Sequence, residues 1–121
     1  PGSDWIQGIQ VSGQPLYLSV AQQVHQWDEN DQCMLVTGAT YPEELGQVRE
    51  CVGDMPLLVP GVGAQGGDVK AVIKAGLDSS GAGLCISSSR GIIYAGSGPD
   101  FGEQAGRAAK LLRDQINDAR L

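Results

Sequence analysis

The chain has 121 residues, of which 41% are apolar and 18% charged, and its 18 Gly and 6 Pro make up about a fifth of it. That suffices for one hydrophobic core and not for two, with a Gly and Pro content below that of low-complexity chains. Eight Lys and Arg against fourteen Asp and Glu give a net charge of −6, which argues against general nucleic-acid binding, since that rests on many cations facing phosphates. A single small anion remains admissible, because one Arg and a few backbone N–H groups hold it.

Cys33, Cys51 and Cys85 form an odd set without Cys-x-x-Cys, and His25 is the single histidine. Neither zinc spacing nor a disulfide framework is present, so no metal is expected, and the thiols suit a reducing cytoplasm. Cys33 and Cys85 lie in apolar runs and are expected in the core. No apolar run is long enough to span a membrane. The start at Pro1-Gly2-Ser3 lacks an initiator Met, which leads to the expectation that upstream sequence is missing.

In chain order, Leu16, Val20, Val24 and Trp27 recur at helical spacing after Pro15, predicting a first helix. Cys33 to Thr37 reads as a short buried strand. Thr40-Tyr41-Pro42-Glu43 has the form of a capping box opening a helix with Leu45, Val48 and Val52 inward and Gly53 at its end. Leu57-Leu58-Val59 is the next strand. Asp68 caps a helix carrying Val69, Val72 and Ile73, and Ala82 to Ile86 is a third strand. After a short apolar turn, Asp100-x-x-Glu103 opens a last helix with Phe101, Ala105, Ala108, Leu112 and Ile116 on one face.

Strands without polar alternation, joined by helices, predict a parallel α/β sheet covered on both faces. Three such strands alone would leave two long edges unpaired, so the pattern fits the second half of a closed (β/α)8 TIM barrel of roughly 250 residues. The last two strands then stand seventh and eighth, and the loops after them are where such barrels bind phosphate.

Both loops carry suitable groups. Pro60-Gly61-Val62-Gly63-Ala64-Gln65-Gly66-Gly67-Asp68 has four Gly in nine residues, which lets backbone N–H groups approach an anion, and Gln65 offers an amide. Gly61-x-Gly63-x-x-Gly66 matches a dinucleotide fingerprint only as a string, since Asp78 lies 12 residues after Gly66 and ahead of its strand. Ser87-Ser88-Ser89-Arg90-Gly91 places the one cation between Lys74 and Arg107 at a strand end, where a guanidinium clamps an anion. Glu43, Glu44 and the carboxylates from Asp114 to Asp118 read as solvated helix faces, His25 as a packing or surface residue, and no general base is evident.

At Pro60 to Asp68 and at Ser88 to Ala95 (Ser-Ser-Arg-Gly-Ile-Ile-Tyr-Ala) the sequence resembles orotidine 5′-phosphate decarboxylase of the bacterial and archaeal branch. Gly38-Ala39-Thr40-Tyr41-Pro42-Glu43-Glu44-Leu45 is similar to the family's segment after barrel strand six, and Pro1-Gly2-Ser3 to its Ser-Asn-Pro-Gly stretch after strand five. The resemblance implies a (β/α)8 barrel, usually dimeric, of which this chain holds strands six to eight with the flanking helices as one domain portion, residues 1–121. It implies that Gln65 bridges the pyrimidine and phosphate ends of a nucleoside monophosphate. Arg90 would grip the phosphate with help from Ser89 and Gly91, and Val36, Pro60 and Val62 would line the pocket. The family's catalytic Asp-x-Lys-x-x-Asp motif lies in the first half of its barrel and has no counterpart here, so no catalytic residue, and no cofactor, is expected in this chain. The partner implied is the missing N-terminal half. The alternatives are a related phosphate-binding (β/α)8 epimerase or aldolase-like enzyme, and a stand-alone flavodoxin-like binding module, which a complete four- or five-strand sheet would favour.

Overall fold

The computed structural model describes residues 4–63 and 68–121. It begins with a single helical turn, α1 (Asp4–Gln7), and a two-stranded antiparallel hairpin, β1 (Gln10–Val11) and β2 (Gln14–Pro15). Sequence periodicity missed both, although Ser12-Gly13 is a hairpin dipeptide: the two residues take φ of +53° and +84°, the positive pair that a two-residue turn needs to follow the strand twist. The helices and strands then alternate as α2 (Leu16–Trp27), β3 (Leu35–Val36), α3 (Pro42–Val52), β4 (Leu57–Pro60), α4 (Val69–Gly76) and β5 (Leu84–Ser87). A one-turn helix, α5 (Ser89–Ile93), and the long α6 (Phe101–Ala119) close the chain.

β3, β4 and β5 form a parallel sheet in that order, as their patterning predicts. Register decides the two faces, because side-by-side residues of parallel strands point the same way. Leu35, Leu57 and Leu84 share one row and Val59 and Ile86 the next; Leu57 and Val59 are fully buried there with Leu45, Val48 and Val52 of α3 and Val72 of α4. Val36, Leu58 and Cys85 make the matching row on the opposite face. Val36 is 68% exposed there, and Cys85 is exposed as well.

Two sequence expectations fail on this point. The sheet is covered on one face, not two, and Cys85 is not a core residue, while Cys33 is half-buried. Helices α3 and α4 bury the Leu57 and Val59 side, whereas of the residues pointing the other way Val36 and Cys85 are exposed and Leu58 is half-buried.

Local corrections have equally local causes. Helix α3 begins at Pro42 with Tyr41 at its cap, and no side chain caps it. Proline disfavours helical backbone at the residue before it, so Tyr41, at φ −124° and ψ 83°, cannot be the first helical residue that a Thr40 cap requires. Asp100 holds the cap position of α6, yet its carboxylate accepts from the Gln104 amide at 2.7 Å, and Glu103 pairs with Arg107. Asp68 does cap α4, accepting from the Lys70 N–H at 2.9 Å. On α2 the buried stripe runs through Tyr17, Leu18, Ala21 and Val24, whereas Val20 and Trp27 are exposed, as is Phe101 on α6.

Among the described residues one charged side chain sits inside. Arg49 follows Val48 on the buried stripe of α3 and is 8% exposed. Its Nε donates to the Gly76 carbonyl at 2.8 Å, and its two Nη groups donate to the carbonyls of Gly53, Met55 at 2.7 Å and Gly83 at 3.1 Å. These acceptors are the ends of α3 and α4 and the approaches to β4 and β5. A planar guanidinium with five N–H groups can satisfy all four, so Arg49 clasps the sheet at the end where its strands begin. Burial pulls its pKa down from the ordinary arginine value, while Asp78 and Asp54 favour its charged form.

Candidate functional site

Parallel strands end on a common edge, and here β4 and β5 deliver their loops side by side, with Pro60 paired to Ser87 as the last register pair. Beyond that pair lies a small cavity of about 80 Å³, lined by Pro60, Gly61, Val62, Ser87, Ser88, Ser89 and Arg90. Gly61 and Gly63 take φ of +94° and +77°, left-handed backbone that L side chains resist, and so turn the chain sharply on either side of Val62. The Val62 side chain is fully buried and belongs to the hydrophobic core. It anchors the base of the loop.

On the other side, Ser88 precedes α5 and makes no side-chain cap bond to it. Its hydroxyl donates instead to the Val62 carbonyl at 3.3 Å, joining the two loops. Ser89, Arg90 and Gly91 follow within the single turn of α5, with Ser89, Arg90 and Gly91 all exposed.

Of the residues singled out from the sequence, Pro60, Val62, Ser89 and Arg90 meet around one cavity and Gly91 adjoins it through Ser88. Val36 does not join them. It lines a separate groove of about 360 Å³ at the edge of β3, with Leu16, Tyr17, Thr37 and Glu44. Burial and the Glu44 charge both push the Tyr17 phenol above its ordinary pKa. Gln65 lies outside the described residues. Sequence reading missed Ser88 and Arg49; a charged residue on the apolar stripe Leu45, Val48, Val52 was the signal for Arg49, whereas nothing in the sequence distinguishes Ser88 from its neighbours Ser87 and Ser89.

No protein-family model matches the chain. Among curated proteins it is 54% identical over 123 residues to the orotidine 5′-phosphate decarboxylase of Bordetella pertussis, covering 99% of this chain and 45% of that protein. It is 52% identical over 120 residues to the enzyme of the same name from Cellvibrio japonicus, covering 98% of this chain and 44% of that one. The chain is a homologue of part of orotidine 5′-phosphate decarboxylase. It spans a little under half the length of these relatives.

Solved structures agree with this fold. Leishmania donovani OMP decarboxylase superposes with a TM-score of 0.81 at 36% identity, over 98% of this chain and 44% of that one. Leishmania donovani UMP synthase gives 0.83 at 38% identity, over 98% of this chain and 25% of that one. The chain therefore shares its α/β architecture with part of these two structures, which is consistent with a partial barrel. Neither the epimerase or aldolase-like alternative nor the flavodoxin-like one is favoured, the latter also because the parallel sheet has three strands among the described residues. No described helix is long and apolar enough to cross a membrane.

Proposed function

We propose that residues 1–121 are the C-terminal portion of a single (β/α)8 domain, with β3, β4 and β5 as barrel strands six to eight. The whole is a cytoplasmic lyase that decarboxylates orotidine 5′-monophosphate to UMP without a cofactor. The observation that carries this reading is the cavity at the ends of β4 and β5, where Arg90 and the glycine-flanked Val62 meet in the two segments that most resemble the family.

In this reading Arg90 binds the phosphate with Ser89 and Gly91, Gln65 reaches from phosphate to pyrimidine, and Pro60 and Val62 line the apolar side, with Val36, which lines a separate groove of this chain, joining them only in the whole barrel. An exposed guanidinium beside a cavity gives a dianion two parallel N–H donors. The proton donor and its carboxylates, which would protonate the carbanion left as carbon dioxide departs, belong to the other part of the barrel. Holding a phosphate remote from the reacting carbon provides binding energy that is expressed in the transition state. The intact enzyme is read as a homodimer.

The partner of this portion is the rest of the same barrel. The open row Val36, Leu58 and Cys85, with the outer edges of β3 and β5 unpaired among the described strands, supports that reading, since exposed apolar faces and free strand edges are ordinarily covered. The test joins this chain to the remainder of the Bordetella pertussis relative and measures conversion of orotidine monophosphate to UMP. The fusion should turn over and the 121-residue chain alone should not. Turnover by the isolated chain, or a folded but inactive fusion, contradicts the proposal.

A further inference from the structure

We propose that Ser88 is a positioning residue for phosphate binding, tying the loop after β4 to the turn that carries Arg90; the inference rests on the function proposed above and assigns that site a residue which the resemblance does not. Three observations support it. Serine at the position before a helix ordinarily spends its hydroxyl on the N–H groups of the first turn, yet the Ser88 hydroxyl makes no such bond and donates to the Val62 carbonyl at 3.3 Å. Val62 is itself immobilised, its side chain fully buried between two glycines of positive φ, so the hydroxyl is fastened to a fixed point of the core. Room for this arrangement is provided by Gly91, where a Cβ would stand 2.8 Å from the Ser88 Oγ.

The consequence is geometric. Arg90 is exposed and lies two residues beyond Ser88 in a helix of one turn, which has little rigidity of its own. The Ser88 bond fixes the start of that turn relative to the wall formed by Pro60, Gly61 and Val62. Without it the cavity keeps its residues but loses the fixed spacing between its two sides, and a ligand must restore that order when it binds.

The experiment uses the fusion with the Bordetella pertussis remainder and compares Kd for UMP and for uridine, which lacks the phosphate. Ser88→Ala should weaken UMP about three- to tenfold, the range expected for one hydrogen bond, with uridine changed less than twofold. Ser88→Thr, which keeps a hydroxyl at the same atom, should restore UMP binding to within about twofold. Equal loss of both ligands, unchanged UMP affinity in the alanine variant, or no rescue by threonine overturns the assignment while leaving the proposed function intact. A fusion that folds but does not decarboxylate orotidine monophosphate overturns both.

Discussion

Replacing Arg49 by Met keeps most of the aliphatic stem and removes every donor of the clasp, so it isolates the hydrogen bonds from the packing. Of the four carbonyls, that of Gly83 also accepts from the Leu57 N–H at 2.9 Å and is not orphaned. The Gly53 carbonyl is only part-buried and can turn to water. The Gly76 and Met55 carbonyls accept in buried bonds and lose an ionised donor outright. A buried acceptor left unmade costs roughly 1–3 kcal/mol, which gives about 3–5 kcal/mol once the two weaker bonds are added, a large share of the 5–15 kcal/mol typical of a domain. With a urea slope of about 1.5–2 kcal/mol/M for a chain of this size, the unfolding midpoint of the Arg49→Met variant should fall by roughly 2 M. Arg49→Lys should recover less than half of that, since one ammonium cannot reach acceptors spread around a planar fork. Because the clasp holds the starts of β4 and β5 and the cavity lies beyond their ends, UMP affinity of the folded fusion should stay within about twofold. A midpoint shift below about 0.5 M for the methionine variant would refute the reasoning.

Arg90→Ala in the fusion should weaken UMP by about a hundredfold, as expected for two charge-assisted bonds, with uridine nearly unaffected; calorimetric titration of both ligands decides it. Gly83→Ala should destabilise the chain by about 2 kcal/mol or more, because φ is +76° there and a Cβ would stand 2.6 Å from Asp78 Oδ2; urea unfolding reads it. The Asp78 carboxyl is held below its ordinary pKa, chiefly by the Ser80 hydroxyl and the Ala82 N–H, and that of Asp28 by the Cys33 and Gln32 N–H groups. A folded pKa below the unfolded one gives stability that is present above about pH 4 and lost as pH falls through the folded value. Acid unfolding curves should therefore flatten in Asp78→Ala, and an unchanged slope contradicts the linkage. Cys85, exposed on the open face, should react with a thiol reagent in the isolated chain faster than Cys33 and Cys51, whose pKa values burial raises. Fusion to the barrel remainder should protect it, and equal reactivity in both forms would contradict burial of that face.

Much of this protein is legible in one dimension because the information is local. The periodicity of Leu45, Val48 and Val52 identifies a helix and its inner face, Asp68 marks a helix start, and the runs at Leu57 and Leu84 mark strands whose helical connections make them parallel. The two glycine- and serine-bearing loops follow those strands in the sequence itself, which marks Arg90 as an anion-binding candidate, whereas Pro60, Val62 and Ser89 are implied only by the resemblance to the family. Where reading failed, a neighbour intervened. Pro42 displaced the Thr40 cap, and Glu103 paired with Arg107 instead of closing its box.

What only the tertiary structure decided is what depends on register and on which side of the sheet the helices lie. Apolar content could not tell Leu57 from Leu58 or predict that Cys85 faces solvent, because a strand of uniform hydrophobicity carries no sign of its two faces. Nor could it reveal that Arg49 closes one end of the sheet or that Ser88 reaches the Val62 carbonyl, contacts between residues 27 or 34 and 26 positions apart. Sequence specifies which groups are available within one turn or one strand; chain closure over such distances selects which of them meet.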